Sequence, residues 1–442
     1  MTVMESQETI GAKQAEPVVD PDAGDLKIWY EAEAGGVRRF VKTQTGTHES
    51  FRRCSSSSDL DGAWWLSFLR GDPEQPSTHR GRVEVVDLFC GSGGLSLGAK
   101  LAAKSLGFDM AHAFAADADP QALGIYRTNN RPRFHTTESV ANLVSYQIST
   151  DKFGSHYPHT PKILNEDLEC LIGSVDMVLA GPPCQGHSTA NNKTRFNDPR
   201  NMLYFAVPAI AVALKAPTVI IENVPGVTAS PGNLVGITTE LLQSNGYTVT
   251  SSVIRSDAFG WPQTRRRFFL VATKDWKPVP LKSVDEALGR SARPISWALE
   301  DILNTKELSI MTESPSLSQE NQRRIDYLHD NELHELPNSE RPECHQNGTT
   351  YRAVYGRMRW DEPAPTITTG FMTPGRGRYV HPLRRRTLLP REAARIQGFP
   401  DNYRFELQSQ ALGRSAIAKG IGDAVPSILG FAAGLSALGN RA

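Results

Sequence analysis

The sequence predicts a doubly wound α/β domain with a mostly parallel sheet, joined to a second, smaller domain. Short apolar runs of strand length alternate with helical stretches from residue 83 to residue 272, which is typical of a parallel sheet covered by helices. A glycine-rich turn at 91–94 separates the first predicted strand from the first predicted helix. Beyond 274 the alternation stops, and the segment to about 350 is rich in charge, proline and serine.

Each predicted strand of the α/β domain is an apolar run. A predicted helix follows each of the first three strands. The glycine-rich turn opens the first helix, which begins at Leu95. The predicted strands are 83–89, 111–117, 175–180, 218–224, 247–253 and 267–272, and the other predicted helices are 120–129 and a segment near 202–214.

Charge is distributed unevenly along a chain whose formal net charge is zero. Residues 1–80 carry 13 acidic and 9 basic side chains, are broken by glycine, proline and a serine run, and are predicted to form a partly disordered extension without a legible function. Residues 351–395 hold ten arginines against three acidic residues, a pattern that suits a phosphate backbone. A solvated surface is the alternative explanation of that arginine excess.

Composition bounds the class of protein. Of the 442 residues, 39% are hydrophobic and 22% are charged, which is ordinary for a globular protein. No apolar run approaches the roughly 20 residues that span a bilayer, so we expect no membrane segment and a cytoplasmic location. The five cysteines form no CxxC pair, which indicates a reducing compartment and predicts neither a disulfide framework nor a structural zinc.

The most informative feature is the segment Pro-Pro-Cys-Gln at 182–185, which directly follows the apolar run 175–180. Open α/β sheets place ligands and chemistry at the carboxyl ends of their parallel strands. Two prolines stiffen the approach to Cys184, because each fixes its own φ and favours extended geometry before it. A buried structural cysteine is the alternative.

Two further features stand at predicted strand ends. The turn at 91–94 lets a ligand approach the backbone and opens a helix N-terminus, although such turns are also structural. Asp117 ends the next strand, where an acidic residue can bind the ribose hydroxyls of an adenosine cofactor. Capping the helix that starts near Pro120 is the alternative role for Asp117.

Taken together, five motifs identify a family resemblance. In this order and with these separations, they make the chain resemble the cytosine-C5 DNA methyltransferase family from about residue 83 to 430. The motifs are Asp-Leu-Phe-Cys-Gly-Ser-Gly-Gly at 87–94, Pro-Pro-Cys-Gln at 182–185, Glu-Asn-Val at 222–224, Gln-Thr-Arg-Arg-Arg at 263–267 and Arg-Glu-Ala-Ala-Arg-Ile-Gln-Gly-Phe-Pro at 391–400.

The resemblance implies a Rossmann-like methyltransferase domain that uses S-adenosylmethionine, with a smaller target-recognition domain. It divides the chain into the N-terminal extension 1–80, the catalytic domain 81–273, the target-recognition domain 274–380 and a C-terminal segment 381–442 that returns to the catalytic domain. The implied substrate is a cytosine of double-stranded DNA, flipped out of the helix because a stacked base cannot present C5 and C6 to a thiol.

Four residues carry the implied chemistry. Cys184 would attack cytosine C6 as a thiolate, which requires a lowered pKa or a general base because a free thiol is little ionised at neutral pH. Glu222 would hold the proton that cytosine N3 needs. Arg265 and Arg267 share one face of a strand, and the resemblance places Arg267 at the cytosine O2; binding to phosphate alone is the alternative.

The resemblance also implies cofactor and DNA contacts. The implied cofactor-binding residues are Phe89, Gly91, Gly93, Leu95, Asp117, Asp167, Leu168, Gly181, Pro183, Asp423 and Val425. The implied DNA-binding residues are Gln185, Ser188, Arg200, Gln263, Arg376 and Arg378. Two positions depart from the family pattern: Leu389 stands where threonine is usual, and Asp423 stands where asparagine is usual, which adds charge beside the cofactor.

Three alternatives stay open at this point. A tRNA cytosine-C5 methylase shares the Pro-Pro-Cys-Gln and Glu-Asn-Val motifs, but its characteristic Cys-Phe-Thr run is absent from the sequence. A non-catalytic DNA-binding regulatory homologue would be signalled by loss of Cys184 or Glu222, and both are present. Amino-group methylases use an Asp/Asn-Pro-Pro-aromatic motif and are disfavoured. The implied context is a prokaryotic or phage modification enzyme, associated with the nucleoid and paired with a restriction endonuclease.

Overall fold

A computed structural model of the chain describes most of the residues after the first 25. The described ranges are 26–55, 57–76, 78–183, 203–230, 232–304, 309–346, 353–407 and 411–442. The strands are β1 (Lys27–Glu33), β2 (Gly36–Thr43), β3 (Gly46–Arg53), β4 (Glu74–Pro76), β5 (Gly81–Leu88), β6 (Phe108–Ala116), β7 (Phe134–Thr136), β8 (Val144–Ser145), β9 (Ser149–Asp151), β10 (Gly154–His156), β11 (Lys162–Ile163), β12 (Met177–Ala180), β13 (Thr218–Asn223), β14 (Thr248–Arg255), β15 (Gln263–Thr264), β16 (Arg266–Thr273) and β17 (Ala364–Pro365).

The helices lie between and after these strands. They are α1 (Leu60–Arg70), α2 (Gly94–Ser105), α3 (Pro120–Asn130), α4 (Glu166–Glu169), α5 (Leu203–Leu214), α6 (Leu234–Ser244), α7 (Leu281–Leu288), α8 (Ile295–Leu299), α9 (Gln319–Asp330), α10 (Glu343–Gln346), α11 (Pro390–Gln397), α12 (Arg414–Gly422) and α13 (Ser427–Leu438). Single 3₁₀ turns occur at Val140–Asn142, Pro225–Ala229, Glu300–Ile302, Asn338–Glu340 and Pro374–Arg376.

A seven-stranded mixed sheet in the order β14-β16-β13-β12-β5-β6-β7 forms the centre of the molecule. The pairs from β13 to β7 are parallel, whereas β16 runs antiparallel to both of its neighbours, β13 and β14. Helices cover both faces of this sheet, so the predicted doubly wound α/β fold is confirmed. The antiparallel β16 makes the sheet mixed, a detail that the alternation of strands and helices did not reveal.

The inner strands are apolar throughout because both of their faces are buried. Successive residues of a strand point to opposite faces, and each face has its own cluster of buried side chains. Val85, Leu179 and Ile220 pack on the side of α2 and α13, and Val86 and Val178 pack on the side of α5. The two-sided burial explains why these strands appear in the sequence as unbroken apolar runs.

The C-terminal helix α13 lies against α2, and every residue of α13 is buried. The two helices approach closely because glycines face each other at the contact. A Cβ at Gly98 would lie 2.3 Å from Ser427 O, and one at Gly430 would lie 2.8 Å from Leu95 O. Since α2 begins directly after the glycine-rich turn, α13 supports the helix that opens from that turn.

Residues 26–76 have more regular structure than the sequence indicated. Strands β1 to β4 form an antiparallel sheet, and α1 packs Trp64 and Trp65 into the main core. The expectation of a partly disordered extension is therefore wrong for this described part. The side chains of Arg39 and Glu74 are both about 1% exposed and are joined by an ion pair of 2.7 Å. Their mutual neutralisation makes the burial possible.

Part of the segment 274–380 packs with the main core and part has a core of its own. Helices α7 and α8 contribute to the main core through residues such as Val284 and Leu299. A separate cluster contains Ile325, Leu328 and Val380 and their apolar neighbours. The domain boundaries after 80, 273 and 380 stay predictions.

The described chain contains no single helix long and apolar enough to cross a membrane. Within the described residues, only the bent pair formed by α12 and α13 has the combined length and apolar composition of a membrane span. Every residue of α13 is buried inside the protein.

We expect Gly98→Ala to lower the free energy of unfolding by about 1–3 kcal/mol, because the added methyl group overpacks the contact between α2 and α13. Urea unfolding measures the loss, and Gly232→Ala is the control, since a Cβ there would meet only side-chain atoms at 3.8 Å or beyond. Equal stability of the two variants would contradict a tight contact at Gly98.

Candidate functional site

A cavity of about 730 Å³ opens at the carboxyl ends of β5, β6, β12 and β13. Its volume lies in the range of pockets that hold a small molecule or cofactor. The predicted site residues that line it are Phe89, Gly91, Leu95, Asp117, Gly181, Pro183, Glu222, Arg265, Arg267, Asp423 and Val425. The structure thus brings together residues that are more than 300 positions apart in the sequence.

The glycine-rich turn has a strained backbone that Asp117 holds in place. Phe89 has φ of 56°, which is unusual for a residue other than glycine, and Gly91 and Gly93 have φ of 52° and 92°. The Asp117 carboxylate accepts hydrogen bonds from Gly91 N and Asp119 N, both of 2.8 Å. Gly93 is the N-cap of α2 and does not line the cavity.

Asp119, not Asp117, caps the helix α3. Its carboxylate accepts from Gln121 N at 2.9 Å and from Ala122 N at 3.2 Å. The alternative role that the sequence left open for Asp117 is therefore filled by its neighbour. Burial raises the pKa of Asp117, and the two backbone donors, from Asp119 and Gly91, oppose that rise.

Asn223 ties the two central strand ends together. Its side-chain Nδ2 donates to Pro182 O at 3.3 Å, and its Oδ1 accepts from Val224 N at 2.8 Å. Pro183 lines the cavity beside this junction. Cys184 follows Pro183 directly in sequence, but it lies outside the described residues, as do Gln185, Ser188 and Arg200.

Glu222 and Arg267 form an ion pair across neighbouring antiparallel strands. Arg267 Nε lies 2.8 Å from Glu222 Oε1, and both side chains are mostly buried. Burial raises the pKa of the Glu222 carboxyl, while the positive charges of Arg267 and Arg265 act against the rise. The arrangement provides a carboxyl group that retains its proton more readily than an exposed one, beside a fixed cation.

Arg265 is buried and bonds to backbone carbonyls. Its guanidinium donates to Ile367 O at 2.6 Å and to Gly422 O at 3.2 Å, and its Nε has no partner. Burial, with Arg267 nearby, lowers the pKa of Arg265 to about 9. Arg265 therefore joins the wall of the cavity to two distant segments, while Arg267 reaches the acid.

The structure contradicts one predicted DNA contact and gives another a partner within the protein. Gln263 is fully buried, and its amide bonds to Ile396 O, to Gln397 and to Ile367 N, so it cannot reach DNA. Arg378 donates to His334 O at 3.0 Å and forms an ion pair of 2.7 Å with the exposed Glu335, and its role in DNA binding stays a prediction. The sequence pattern around both residues carries no sign of these long-range partners.

Arg376, the third predicted DNA contact in the described chain, is exposed. The stem of its side chain lies against Gly370, where a Cβ would be 2.7 Å from Arg376 Cβ. A role in DNA binding stays a prediction for this residue.

Asp167 and Leu168 do not line the cavity. Leu168 is buried in the core and Asp167 is exposed on α4. The residues that line the cavity after β7 are instead Glu138, Ser139 and Val140. An inserted segment, 141–165, with the short strands β8 to β11, separates α4 from the strand end. Since β7 has only three residues, no apolar run in the sequence revealed it.

Lys419 compensates for the extra charge of Asp423. Its ammonium group lies 3.0 Å from Asp119 Oδ2 and 3.3 Å from Asp423 Oδ2. The cation was missed in the sequence, although it precedes Asp423 by four residues, a spacing that pairs side chains on a helix. At the other departure, Leu389 N donates to Glu392 Oε2 at 2.8 Å at the start of α11, so that helix end is satisfied without a threonine.

Among the described residues, no group of three or more histidine, cysteine, aspartate or glutamate side chains is placed to hold a metal ion.

Comparisons with known proteins agree with this geometry. The family model for the C-5 cytosine-specific DNA methylase matches residues 83–435. The chain is 40% identical over 351 residues to the type II methyltransferase M1.BsuMI of Bacillus subtilis (strain 168), covering 79% of each protein. It is 32% identical over 354 residues to the type II methylase M.HgiDII of Herpetosiphon aurantiacus, covering 78% of this chain and 92% of that one.

Among solved structures, the Dnmt2 methyltransferase of S. pombe superposes with a TM-score of 0.53 at 17% identity, covering 80% of this chain and 98% of that one, which supports the fold. The chain belongs to the C-5 cytosine-specific DNA methylase family and is a DNA (cytosine-5-)-methyltransferase.

We expect Gln263→Leu to lower the free energy of unfolding by about 3 kcal/mol, because it leaves buried backbone groups without partners. The affinity of the folded variant for duplex DNA should be unchanged. Chemical unfolding and a DNA-binding titration measure the two quantities.

Arg376→Gln is the matched contrast to Gln263→Leu. Its stability should stay within about 0.5 kcal/mol of the wild type, while its DNA affinity falls and the salt dependence of binding weakens by about one ion. A loss of DNA affinity in Gln263→Leu with unaltered stability would restore Gln263 as a DNA contact.

Proposed function

We propose that the protein transfers a methyl group from S-adenosylmethionine to C5 of a cytosine that is flipped out of duplex DNA, at a specific sequence, through a covalent bond between Cys184 and cytosine C6. The observation that carries the proposal is the buried pair of Glu222 and Arg267 on the wall of the cavity, beside Pro183. It supplies a proton and a fixed positive charge beside Pro183, the residue that Cys184 follows in the sequence.

The cavity fits S-adenosylmethionine. The Asp117 carboxylate uses one lone pair on each oxygen for a backbone N–H, which leaves acceptor sites for ribose hydroxyls. Phe89, Leu95 and Val425 add apolar surface for the adenosine, and Ser139 and Val140 after β7 replace Asp167 and Leu168 at the adenine edge. When bound, the cofactor supplies an electrophilic methyl group.

Gly91, Gly181 and Pro183 complete the proposed cofactor contacts. Each lines the same cavity, and Gly91 N donates to Asp117 while Gly181 N donates to Leu88 O at 3.3 Å. These bonds fix the backbone of the two strand-end turns that border the cavity.

Residues of this protein activate the cytosine ring in a series of bond-forming and proton-transfer steps. The Cys184 thiolate forms a bond to cytosine C6, and Glu222 delivers its proton to N3, so the ring electrons move toward C5. After C5 has gained the methyl group, it loses its proton to a water molecule. N3 returns its proton to the Glu222 carboxylate, and the C6–S bond breaks with its electron pair on sulfur, so the thiolate and the Glu222 acid are both regenerated. Arg267 orients Glu222 and supports the polarisation of the ring at the cytosine O2.

DNA supplies the substrate in a form that requires base flipping. The cavity lies at the ends of buried strands, so a base stacked in a duplex cannot enter it, whereas an extruded base can. Arg376 provides an exposed cation for the duplex, and the arginine excess in 351–395 supports binding to phosphates. A cytoplasmic, nucleoid-associated location follows from this substrate.

The names of the relatives support a role in modification. The two sequence relatives described above are type II enzymes, the class that protects DNA from a companion nuclease by methylating the same site. We infer that this protein modifies one recognition sequence and that a restriction endonuclease of the same specificity accompanies it.

We expect labelled methyl groups from S-adenosylmethionine to appear on cytosine in duplex DNA with the wild type and to be absent with Cys184→Ala. The reason is that C5 of an intact cytosine ring is too weak a nucleophile without the thiolate addition. Label on tRNA alone would identify an RNA methylase, and no label on either, with DNA bound, would identify a regulatory homologue.

The turnover of the wild type should fall as pH rises through the raised pKa of Glu222, because only the protonated carboxyl can donate to N3. Glu222→Gln should lose turnover by about 10²–10⁴-fold and lose this descending limb. In Arg267→Gln the limb should move to higher pH, since the cation that lowers the pKa is gone. A profile of the same shape in all three proteins would contradict the role of Glu222.

A further inference from the structure

A second cavity, of about 400 Å³, lies at the opposite end of the sheet from the cofactor cavity. It opens at the amino ends of β5 and β6, and we call it the amino-end cavity. It is lined by Arg82 and Glu84 from β5, Asp109 and His112 from β6, Lys100 from α2, and Arg131 and Arg133 from the segment after α3, among others. None of these residues takes part in the proposed reaction.

His112 has an unused hydrogen-bonding atom at this cavity. Its side chain is only 6% exposed, and its Nε2 has no hydrogen-bond partner in the described structure. Burial, with Lys100 nearby, lowers the pKa of His112 to about 3, so the imidazole is neutral. A buried polar nitrogen without a partner costs free energy, and a ligand in the cavity would supply the partner.

The charges around His112 favour an anion. Within the described chain, Lys100, Arg131 and Arg133 form no ion pair with a carboxylate. Glu84 pairs with Arg82 at 2.8 Å, while Asp109 lies 3.6 Å from the exposed His79 imidazole and also acts electrostatically on Lys100. The lining therefore carries the four cations Arg82, Lys100, Arg131 and Arg133 against two carboxylates, which is an excess of positive charge.

A hydrogen-bonded chain connects the amino-end cavity with the cofactor cavity. His112 Nδ1 lies 2.8 Å from the Tyr126 hydroxyl, which lies 3.1 Å from the Ser96 hydroxyl. Ser96 in turn donates to Asp87, and Asp87 lines the cofactor cavity. All four side chains are buried, so the chain has no competing water at its surface.

We propose that the amino-end cavity binds a small oxyanion of the phosphate class, held by the imidazole of His112 and by the side chains of Lys100, Arg131 and Arg133. Each of these groups offers N–H donors, and phosphate accepts several charge-assisted hydrogen bonds at once. The occupant that we propose is free inorganic phosphate.

The oxyanion also determines which group donates and which accepts in each hydrogen bond of the chain of side chains from His112 to Asp87. Without it, the chain can run from His112 Nδ1–H through Tyr126 and Ser96 to a charged Asp87. With the oxyanion, Nε2 carries the proton, so Tyr126 donates to Nδ1 and the chain reverses. The reversed chain fits a protonated Asp87, and burial raises the pKa of Asp87 to about 7, where either form is accessible.

The test measures binding of inorganic phosphate to the full chain by calorimetry, without cofactor. We expect one saturable site in the wild type and a loss of affinity of about tenfold or more in Arg131→Gln/Arg133→Gln, since each change removes a charge-assisted hydrogen bond. His112→Gln should weaken binding too. Arg53→Gln, which changes an exposed arginine of β3, is the control and should bind as the wild type does.

Three outcomes would overturn the site. Absence of saturable phosphate binding, or equal binding by the double variant and the control, would show that the cations are only solvated. Weaker duplex DNA binding by the double variant, without phosphate binding, would assign these arginines to the DNA surface. Because this measurement needs no cofactor, its failure is distinguishable from failure of the proposed methyl transfer.

Coupling between phosphate binding at the amino-end cavity and S-adenosylmethionine binding at the cofactor cavity is measured separately, as a change in cofactor affinity. This coupling rests on the proposed function. Saturating phosphate should weaken S-adenosylmethionine binding by about fivefold or more, because protonated Asp87 no longer attracts the cationic cofactor. Tyr126→Phe interrupts the chain, so phosphate should bind without altering cofactor affinity. An unchanged cofactor affinity in the wild type would overturn the coupling, and the same shift in Tyr126→Phe would overturn the route through the chain.

Discussion

The arrangement of the cavity wall depends on the hydrogen bonds that the buried guanidinium of Arg265 donates to backbone carbonyls. The guanidinium donates to Ile367 O, just after β17, and to Gly422 O, at the end of α12. A buried cation without acceptors is costly, so these carbonyls have to stay in place for the chain to remain folded. Three segments that are far apart in the sequence are thereby held at one wall of the cavity.

Buried amides continue this wall behind the arginine. Gln263 bonds to Gln397, and Gln397 Nε2 donates to Ile421 O at 2.6 Å. Because these groups are paired in the dry interior, they form a network with one stable arrangement. The network immobilises β15 and the start of β16, and Arg267 therefore presents its guanidinium to Glu222 from a rigid strand. A precise position matters here, since proton transfer requires contact at hydrogen-bond distance.

Burial raises the pKa values of three acidic residues that line the cofactor cavity. The pKa values of Asp87, Asp117 and Glu222 are all raised, in each case mainly by desolvation. The cations at this end are committed to fixed partners: Arg267 to Glu222, and Lys419 to Asp119 and Asp423. These two cations of the cavity thus have fixed carboxylate partners, whereas the lining of the amino-end cavity has more cations than carboxylates.

The sequence by itself determined the order of the central strands along the chain and the motifs at their ends, because apolar runs and turn residues act locally. Tertiary structure alone decided the features that depend on contacts between residues far apart in the sequence. The sheet of β1 to β4, the burial of Gln263 and the pairing of Arg378 depend on partners far along the chain. Ser139, just after the three-residue strand β7, lines the cavity and Asp167 does not, because strand adjacency, not sequence spacing, brings side chains to one cavity.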